Sequence, residues 1–387
     1  MTLADPGSAT ATPTPTGTPA GVLIMNAGSS SLKASVLGPG DTVDAALELA
    51  EWDGSPDHGE LTGFLAAAAP STGVVAHRVV HGGSVFSHAV LIDDTVIEAI
   101  RGLTDLAPLH QPRALAGIAA AARLLPGLPA VACFDTAFHA RMPDAAARYA
   151  LPAGWTARFG LRRFGFHGLS HAYASRRAAQ LVGRQLAELR IVTCHLGAGA
   201  SLAAVFRGRS VDTTMGFTPL EGLVMATRSG SVDPGLLVWL LQHGQLGVAE
   251  LSAGLEKESG LAGLSGVPSG DMRAVLRAAD AGLPAALLAV EVYLHRLRRE
   301  IAAMAAAMNG FDALVFTGGV GEHSSAVRAA ATAGLAFLGV TLDPDRNRAA
   351  TADAVISSPD STAAALVVTA REDVEMARQA RGALAAA

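Results

Sequence analysis

Only two cysteines, Cys133 and Cys194, occur in the 387 residues, and both sit in apolar, strand-like runs. Such places usually hold inert buried thiols, so a disulfide framework is excluded and a reducing compartment, the cytoplasm, is expected. No run of about 18 uncharged apolar residues exists, which argues against a membrane-spanning helix. The longest apolar helical pattern, 284–309, is interrupted by Glu291, His295 and Arg296. Positive charge is not in excess either: the net charge is −5, which argues against broad nucleic-acid binding. The first 20 residues lack both a basic region and an apolar stretch, and their Thr, Pro and Ala content predicts a disordered tail rather than a signal peptide. What remains is 50% hydrophobic and 16% charged, a chain rich enough in apolar residues to bury a core and long enough for two domains.

Glycine is plentiful, and its placement organises the chain. Met25-Asn-Ala-Gly-Ser-Ser-Ser-Leu-Lys-Ala-Ser-Val36 follows an apolar run and leads into an alternating one, so it reads as strand, tight turn, strand. Gly28 lets backbone N–H groups face an anion, and the serines and Lys33 add donors and a charge. The stretch is not a Walker loop, and taken alone it is an ordinary Ser-rich hairpin. Recurrence changes that. About 170 residues later, Thr193-Cys-His-Leu-Gly-Ala-Gly-Ala-Ser-Leu-Ala-Ala-Val205 repeats the pattern, Gly28 aligning with Gly197 and, across a one-residue gap, Ser31-Leu32 with Ser201-Leu202. A third turn, Val315-Phe-Thr-Gly-Gly-Val-Gly-Glu322, closes another apolar strand. A duplicated fold gripping one polyphosphate between its halves is expected.

Between these turns lie the candidate functional side chains. Residues 40–72 are weakly patterned, and Gly73-Val-Val-Ala-His-Arg-Val-Val-His-Gly-Gly83 then forms a strand with Arg78 inside it. A buried arginine needs a partner, either an internal carboxylate or a substrate carboxylate matching its fork. Ala130-Val-Ala-Cys-Phe-Asp-Thr-Ala-Phe-His139 reads as a buried parallel strand ending in Asp135, at the end that faces the ligand crevice in α/β sheets; Asp135 serves as a cap or as a site residue. Arg162-Arg-Phe-Gly-Phe-His-Gly-Leu-Ser-His171 marks the domain boundary; a helix from Ser170 to about Leu181 follows, and its histidines lack a third partner for zinc. Val211 to Gly235 reads as one long loop carrying Arg228. Asp271 has the place of a helix N-cap, and Leu287, Val290, Leu294, Leu297, Ile301, Met304 and Met308 form the stripe of a helix ended by Asn309-Gly310. A strand over 363–368 precedes Thr369-Ala-Arg-Glu372, which has the form of a capping box.

Taken in order, these motifs resemble the acetate kinase family, within the superfamily of acetate and sugar kinases, actin and the heat-shock chaperones. The resemblance runs from about residue 22 to 380 through Asn-x-Gly-Ser-Ser-Ser-x-Lys, His-Arg-Val-Val-His-Gly-Gly, Leu-Ala-Pro-Leu-His, Phe-Asp-Thr-Ala-Phe-His, Phe-Gly-Phe-His-Gly-x-Ser-His, His-Leu-Gly-x-Gly, Asp-Thr-Thr-Met-Gly and Ser-x-Asp-Met-Arg. It implies an α/β fold of two duplicated actin-like, ribonuclease H-like domains, each a mixed sheet flanked by helices, with the active site in the cleft between them. The expected bounds are 21–163 plus a returning 371–387 for the first and 164–370 for the second. The resemblance further implies Mg²⁺ (with Mn²⁺ as a substitute) at Asn26 and Glu372, and Lys33 approaching the nucleotide phosphates. Arg78 would hold acetate, with Val80, Leu109, His110, Phe166 and Pro219 around it. Asp135, His167 and Arg228 would form the catalytic centre. ATP or ADP would lie against His195, Leu196, Gly197, Ala198 and Gly199, against Asp271, Met272 and Arg273, and against Gly319, Val320, Gly321, Glu322 and His323. A homodimer is implied by the family alone.

Departures from the family pattern are Ser84, Gln111, Ala198, Ala226, Ser231 and His323, none of which removes a charged catalytic side chain. The chemistry agrees with this reading: a carboxylate acceptor is already ionised at neutral pH and needs no strong base, whereas bringing it against a γ-phosphate demands cations. Arg78, Arg228, Lys33 and His167 are the candidates. Other short-chain acyl kinases, a hydroxyl kinase using Asp135 as base, and a non-catalytic ATP-dependent switch are the alternatives.

Overall fold

Apolar runs that end in glycine turns build two sheets. The computed structural model describes residues 21–28, 31–55 and 58–387; the expected tail (1–20), Ser29 and Ser30 lie outside them. The first sheet contains β1 (Gly21–Ala27), β2 (Leu32–Leu37), β3 (Val43–Leu49), β4 (Thr72–Val79), β5 (Val90–Leu91) and β6 (Ala130–Phe134), in the order β3-β2-β1-β4-β6-β5. The second contains β7 (Arg190–Leu196), β8 (Ala200–Phe206), β9 (Arg209–Thr213), β10 (Ala313–Thr317), β11 (Ala354–Val355) and β12 (Ala364–Val367), in the order β9-β8-β7-β10-β12-β11. The two orders are the same when each strand is matched to the one six places later, so the duplication is present in the topology. Each sheet is mixed, with an antiparallel meander on one side and parallel strands in the middle.

The strand ladders correct the alignment of the two hairpins. Asn26 pairs with Lys33 across β1 and β2, and His195 pairs with Ser201 across β7 and β8. Ser201 therefore corresponds to Lys33, not to Ser31, because the second turn is the shorter one.

Other boundaries also shift. Residues 40–72 hold β3 and the helix Gly59–Ala68, whose weak pattern reflects a largely exposed strand and a helix buried only at Leu61, Leu65 and Ala68. The long loop begins after Thr213, since its first three residues complete β9. Helix Pro284–Ala307 buries Ala286, Ala289, Tyr293, Leu297, Ile301 and Met304, while Leu287 is 46% exposed. Small residues thus occupy the packed face at its N-terminal end, where the larger leucines point outward. Asn309 and Gly310 do end it, both at positive φ. The capping box is not made: the terminal helix is Glu372–Ala385, Arg371 holds the N-cap position, and no side chain caps it.

Helix Gly168–Leu181 follows β6 yet packs Ala174, Ala178 and Ala179 on Ile191, Ala203 and Val315 of the second sheet. The terminal helix follows the second sheet yet packs Met376, Ala377 and Ala380 on Val22, Ile24, Val74 and Cys133 of the first. The halves therefore exchange a helix each, and the first residue of each helix lies beside the strand ends of both sheets.

Candidate active site

Three adjacent parallel strands of the first sheet end in polar side chains. Asn26 and Arg78 each lie one residue before the end of their strand, β1 and β4, and Asp135 directly follows β6. Ligand crevices in open α/β sheets form at such carboxyl ends. Arg78 Nε donates to both Asp135 oxygens at 3.2 and 3.1 Å, its Nη2 donates to Oδ2, and its Nη1 donates to Asn26 Oδ1 at 3.1 Å. The Arg78 side chain is 18% exposed and that of Asp135 1%. Burial opposes the Arg78 charge, but Asp135 and Glu372 outweigh it and hold the guanidinium above its ordinary value. Burial in turn pushes the Asp135 carboxyl up, with Arg78 pulling the other way. Glu372, the first residue of the terminal helix, acts on both groups, so it faces this cluster.

The second sheet meets the first through His167 and Arg228. His167 adopts φ 55 immediately before helix Gly168–Leu181, a turn that places its ring over His195 at a centroid distance of 4.3 Å. Gly168 N donates to Asp135 O at 2.9 Å, which ties this turn to the end of β6. Arg228 Nη1 donates to Pro219 O at 2.6 Å within the long loop. A Cβ at Gly199 would fall 2.6 Å from Arg228 Nη2 and 3.4 Å from the His167 ring, so glycine there is what lets the two side chains meet at the β7–β8 turn. Burial, then His195, His171, Arg78 and Arg228, hold His167 well below its ordinary pKa. His167 is therefore neutral at pH 7 and is not one of the cations expected from the sequence.

Around these groups lies an apolar wall. Val80 is 7% exposed and Phe166 2%, and both belong to one buried cluster with Ala107, Leu196 and Met215. His110 responds to burial and to Arg78, Asp135 and Arg228, which places it in the same cluster; burial lowers its pKa. Leu109 is exposed, and Pro219 is partly buried. Lys33 lies on the surface and pairs with Glu48 at 2.9 Å.

The nucleotide-side loops adjoin one another because β7 and β10 run parallel, with Thr317 level with His195. Gly197 N donates to Gly199 O at 2.9 Å, and Ala198 O accepts from Ala226 N at 3.1 Å. Gly318 takes φ 76 and starts the short helix Gly318–His323, which carries Gly319, Val320 and Gly321. Glu322 Oε1 accepts from Gly318 N at 2.9 Å and Ala370 N at 3.0 Å, joining that loop to the start of the terminal helix. Buried Arg328 donates to the carbonyls of Gly321 and Glu322 from below. Asp271 caps helix Met272–Asp280 by accepting from Ala274 N at 3.1 Å, Met272 is buried in the core, and Arg273 is exposed. Sequence reasoning missed the small polar residues behind the site, Thr193, Ser170 and Ser201; their signal was polar side chains inside otherwise apolar strand and helix faces.

Comparison with known proteins decides the family. A family model described as the acetokinase family matches residues 65–378. The chain belongs to the acetokinase family. A Synechococcus protein named acetate kinase is 54% identical over 311 residues, 80% of this chain and 76% of that one. A Geobacillus acetate kinase is 42% identical over 386 residues, 92% and 97% of the two chains. Among solved structures, Porphyromonas gingivalis acetate kinase superposes with a TM-score of 0.87 at 37% identity, covering 94% of this chain and all of that one. A Francisella tularensis propionate kinase gives 0.86 at 35% identity, covering 94% and 99%. The acetokinase fold is thus shared along nearly the whole length, with two domains.

Proposed function

We propose that the protein is an acetate kinase, transferring the γ-phosphoryl group of ATP to acetate to give acetyl phosphate and ADP, reversibly and by direct in-line displacement. The observation that carries this reading is the state of Arg78. A guanidinium has five N–H donors, and Asp135 and Asn26 take three of them. Among the described residues nothing takes the remaining hydrogen on each terminal nitrogen, a fork for a carboxylate whose methyl end would face Val80 and Phe166. Asp135 is a positioning residue here: it is buried, and its oxygens are occupied by the Arg78 fork.

In the transfer an acetate oxygen forms a bond to the γ-phosphorus while the bond to the β,γ-bridging oxygen breaks, and that electron pair leaves on ADP. No proton need move. Arg228, held against Gly199, supplies positive charge to the transferring group, and neutral His167 supplies a hydrogen bond rather than a charge. Asn26 Oδ1 and the Glu372 carboxylate are hard oxygen donors beside the same cluster, a set that fits Mg²⁺, or Mn²⁺, which is usually held by one or two carboxylates with phosphates and water completing the shell. When bound, such an ion neutralises phosphate charge. The nucleotide would lie along Gly197–Gly199 and Gly318–His323, and closure about residues 162–166 and 370 would exclude water. Free buried cysteines suit the cytoplasm. A half-exposed apolar face on helix Pro234–His243, with Leu236 and Trp239, suits a second copy of the chain as partner.

Propionate is the second reading, favoured by the likeness to the Francisella enzyme; one methylene changes discrimination by only about 1–3 kcal/mol. ATP-dependent acyl phosphate formation, trapped with hydroxylamine, distinguishes them. Acetate should give the most product, propionate less and glycerol none. Product with glycerol, or ATP binding without acyl phosphate, would overturn the proposal.

A further inference from the structure

Behind His167 runs a closed line of buried hydrogen bonds that the transfer itself does not explain. His167 Nδ1 lies 2.9 Å from Ser201 Oγ, Ser201 Oγ lies 2.8 Å from His171 Nε2, and His171 Nδ1 lies 2.7 Å from Thr193 Oγ1. Thr193 Oγ1 also reaches Ala203 O at 3.4 Å. Ser201, His171 and Thr193 are all essentially inaccessible to solvent. Burial above all keeps both histidines neutral, so each ring carries one proton, on one nitrogen or the other.

The protons in such a line cannot be placed independently, because each hydroxyl has one hydrogen to give. If Thr193 donates to Ala203 O, it accepts from His171 Nδ1–H. His171 Nε2 then accepts from Ser201, Ser201 accepts from His167 Nδ1–H, and the His167 Nε2 facing the cleft is bare. If Thr193 donates to His171 Nδ1 instead, every bond reverses and His167 presents Nε2–H. The two polarities differ inside the protein by a single long bond to Ala203 O. His139 provides the contrast: its Nε2 faces the Phe166 carbonyl at 3.1 Å, which can only accept, so its tautomer is fixed.

We propose that Thr193, His171 and Ser201 are positioning residues that set the tautomer of His167, and that an anionic phosphoryl group in the cleft selects the polarity in which Nε2–H points at it. The histidine thereby donates a hydrogen bond to the transferring group while remaining neutral, and the whole line switches together. This rests on the kinase reading above.

The test is the ¹⁵N chemical shift pattern of the histidine rings, recorded for the free enzyme and for its complex with Mg·ADP, acetate and aluminium fluoride as the phosphoryl mimic. His167 and His171 should both pass from the Nδ1–H to the Nε2–H tautomer on forming the complex, with His139 unchanged. A His167 that stays in one tautomer, or that becomes doubly protonated, would overturn the proposal. Kinetics give a second arm. Ser201→Ala should lower kcat by about 10- to 100-fold with the acetate KM changed less than about twofold, the loss of one hydrogen bond in the transition state. Ser201→Thr should recover most of the rate. A Ser201→Ala enzyme within about threefold of the parent would contradict the assignment. Failure of the kinase reading is distinguishable, because it would show as absence of acyl phosphate in the unsubstituted protein.

Discussion

Arg78 and Arg228 carry like charge but are held differently, and the difference predicts different kinetic losses. Arg78 is locked by Asp135 and Asn26 at the strand ends of the first sheet, and in the proposed role its remaining hydrogens would serve ground-state binding of the carboxylate. Arg78→Ala should raise the acetate KM at least about tenfold, the scale of a charge-assisted hydrogen bond. An unchanged KM would count against the fork. Among the described residues, Arg228 has only the Pro219 carbonyl as a hydrogen-bond partner, and it stands beside the β7–β8 turn. Arg228→Ala should lower kcat by about 10³-fold or more with KM less affected, as for an arginine on a transferring phosphoryl group. Asp135→Asn should lose turnover because it loosens Arg78; steady-state kinetics showing near-normal kcat would contradict the positioning role. The sequence made these residues legible because each is a charge inside an apolar run, where burial demands a partner. It did not make Lys33 or the charge state of His167 legible. Lys33 faces Glu48 across a ladder that no local pattern reveals, and His167 is neutral chiefly because the fold buries it, with His195, His171, Arg78 and Arg228 adding to the effect.

At the level of elements, the duplicated strand order was foreshadowed by two glycine hairpins, whereas the exchanged helices entered only through the domain bounds that the family resemblance implies. Helix Gly168–Leu181 lies within the expected bounds of the second half, 164–370, and its alanines pack on the second sheet. Its start is constrained by backbone, not by side chains. A Cβ at Gly168 would fall 2.2 Å from Asp135 O and 2.9 Å from Phe138 Cβ. Gly168→Ala should therefore destabilise the protein by about 2 kcal/mol or more and displace Asp135 and His167 together. Urea denaturation monitored beside kcat tests this; a variant of unchanged stability would show that the turn relaxes freely. The capping box failed as a signal for a related reason. Thr369 N is engaged by Asp353, so the chain reaches Glu372 before the helix begins and leaves that carboxylate facing the cleft.

The whole molecule buries an unusual set of neutral histidines. His77 is held down at about 3, and His81, His139 and His195 at about 4, in each case chiefly by burial. Unfolding restores an ordinary value near 6.5, so below that pH the unfolded chain binds protons that the folded one refuses. Stability should be fully present above about pH 6.5 and fall as pH drops towards 4, each histidine contributing up to about 1.4 kcal/mol per pH unit. Urea midpoints between pH 7 and 5 check this, and a flat profile would contradict it. Across the same molecule, the cleft unites strand ends of one sheet with a turn and loop of the other, and the transfer is assigned directly from ATP to the carboxylate. Asp135 is buried and occupied by Arg78, so it is not placed to accept the phosphoryl group itself. The decisive measurement is the stereochemical course at phosphorus, using ATP made chiral at the γ-position with oxygen isotopes and acetate as acceptor. A single direct displacement predicts inversion of configuration in acetyl phosphate; retention would require a phosphorylated enzyme intermediate and would contradict the account.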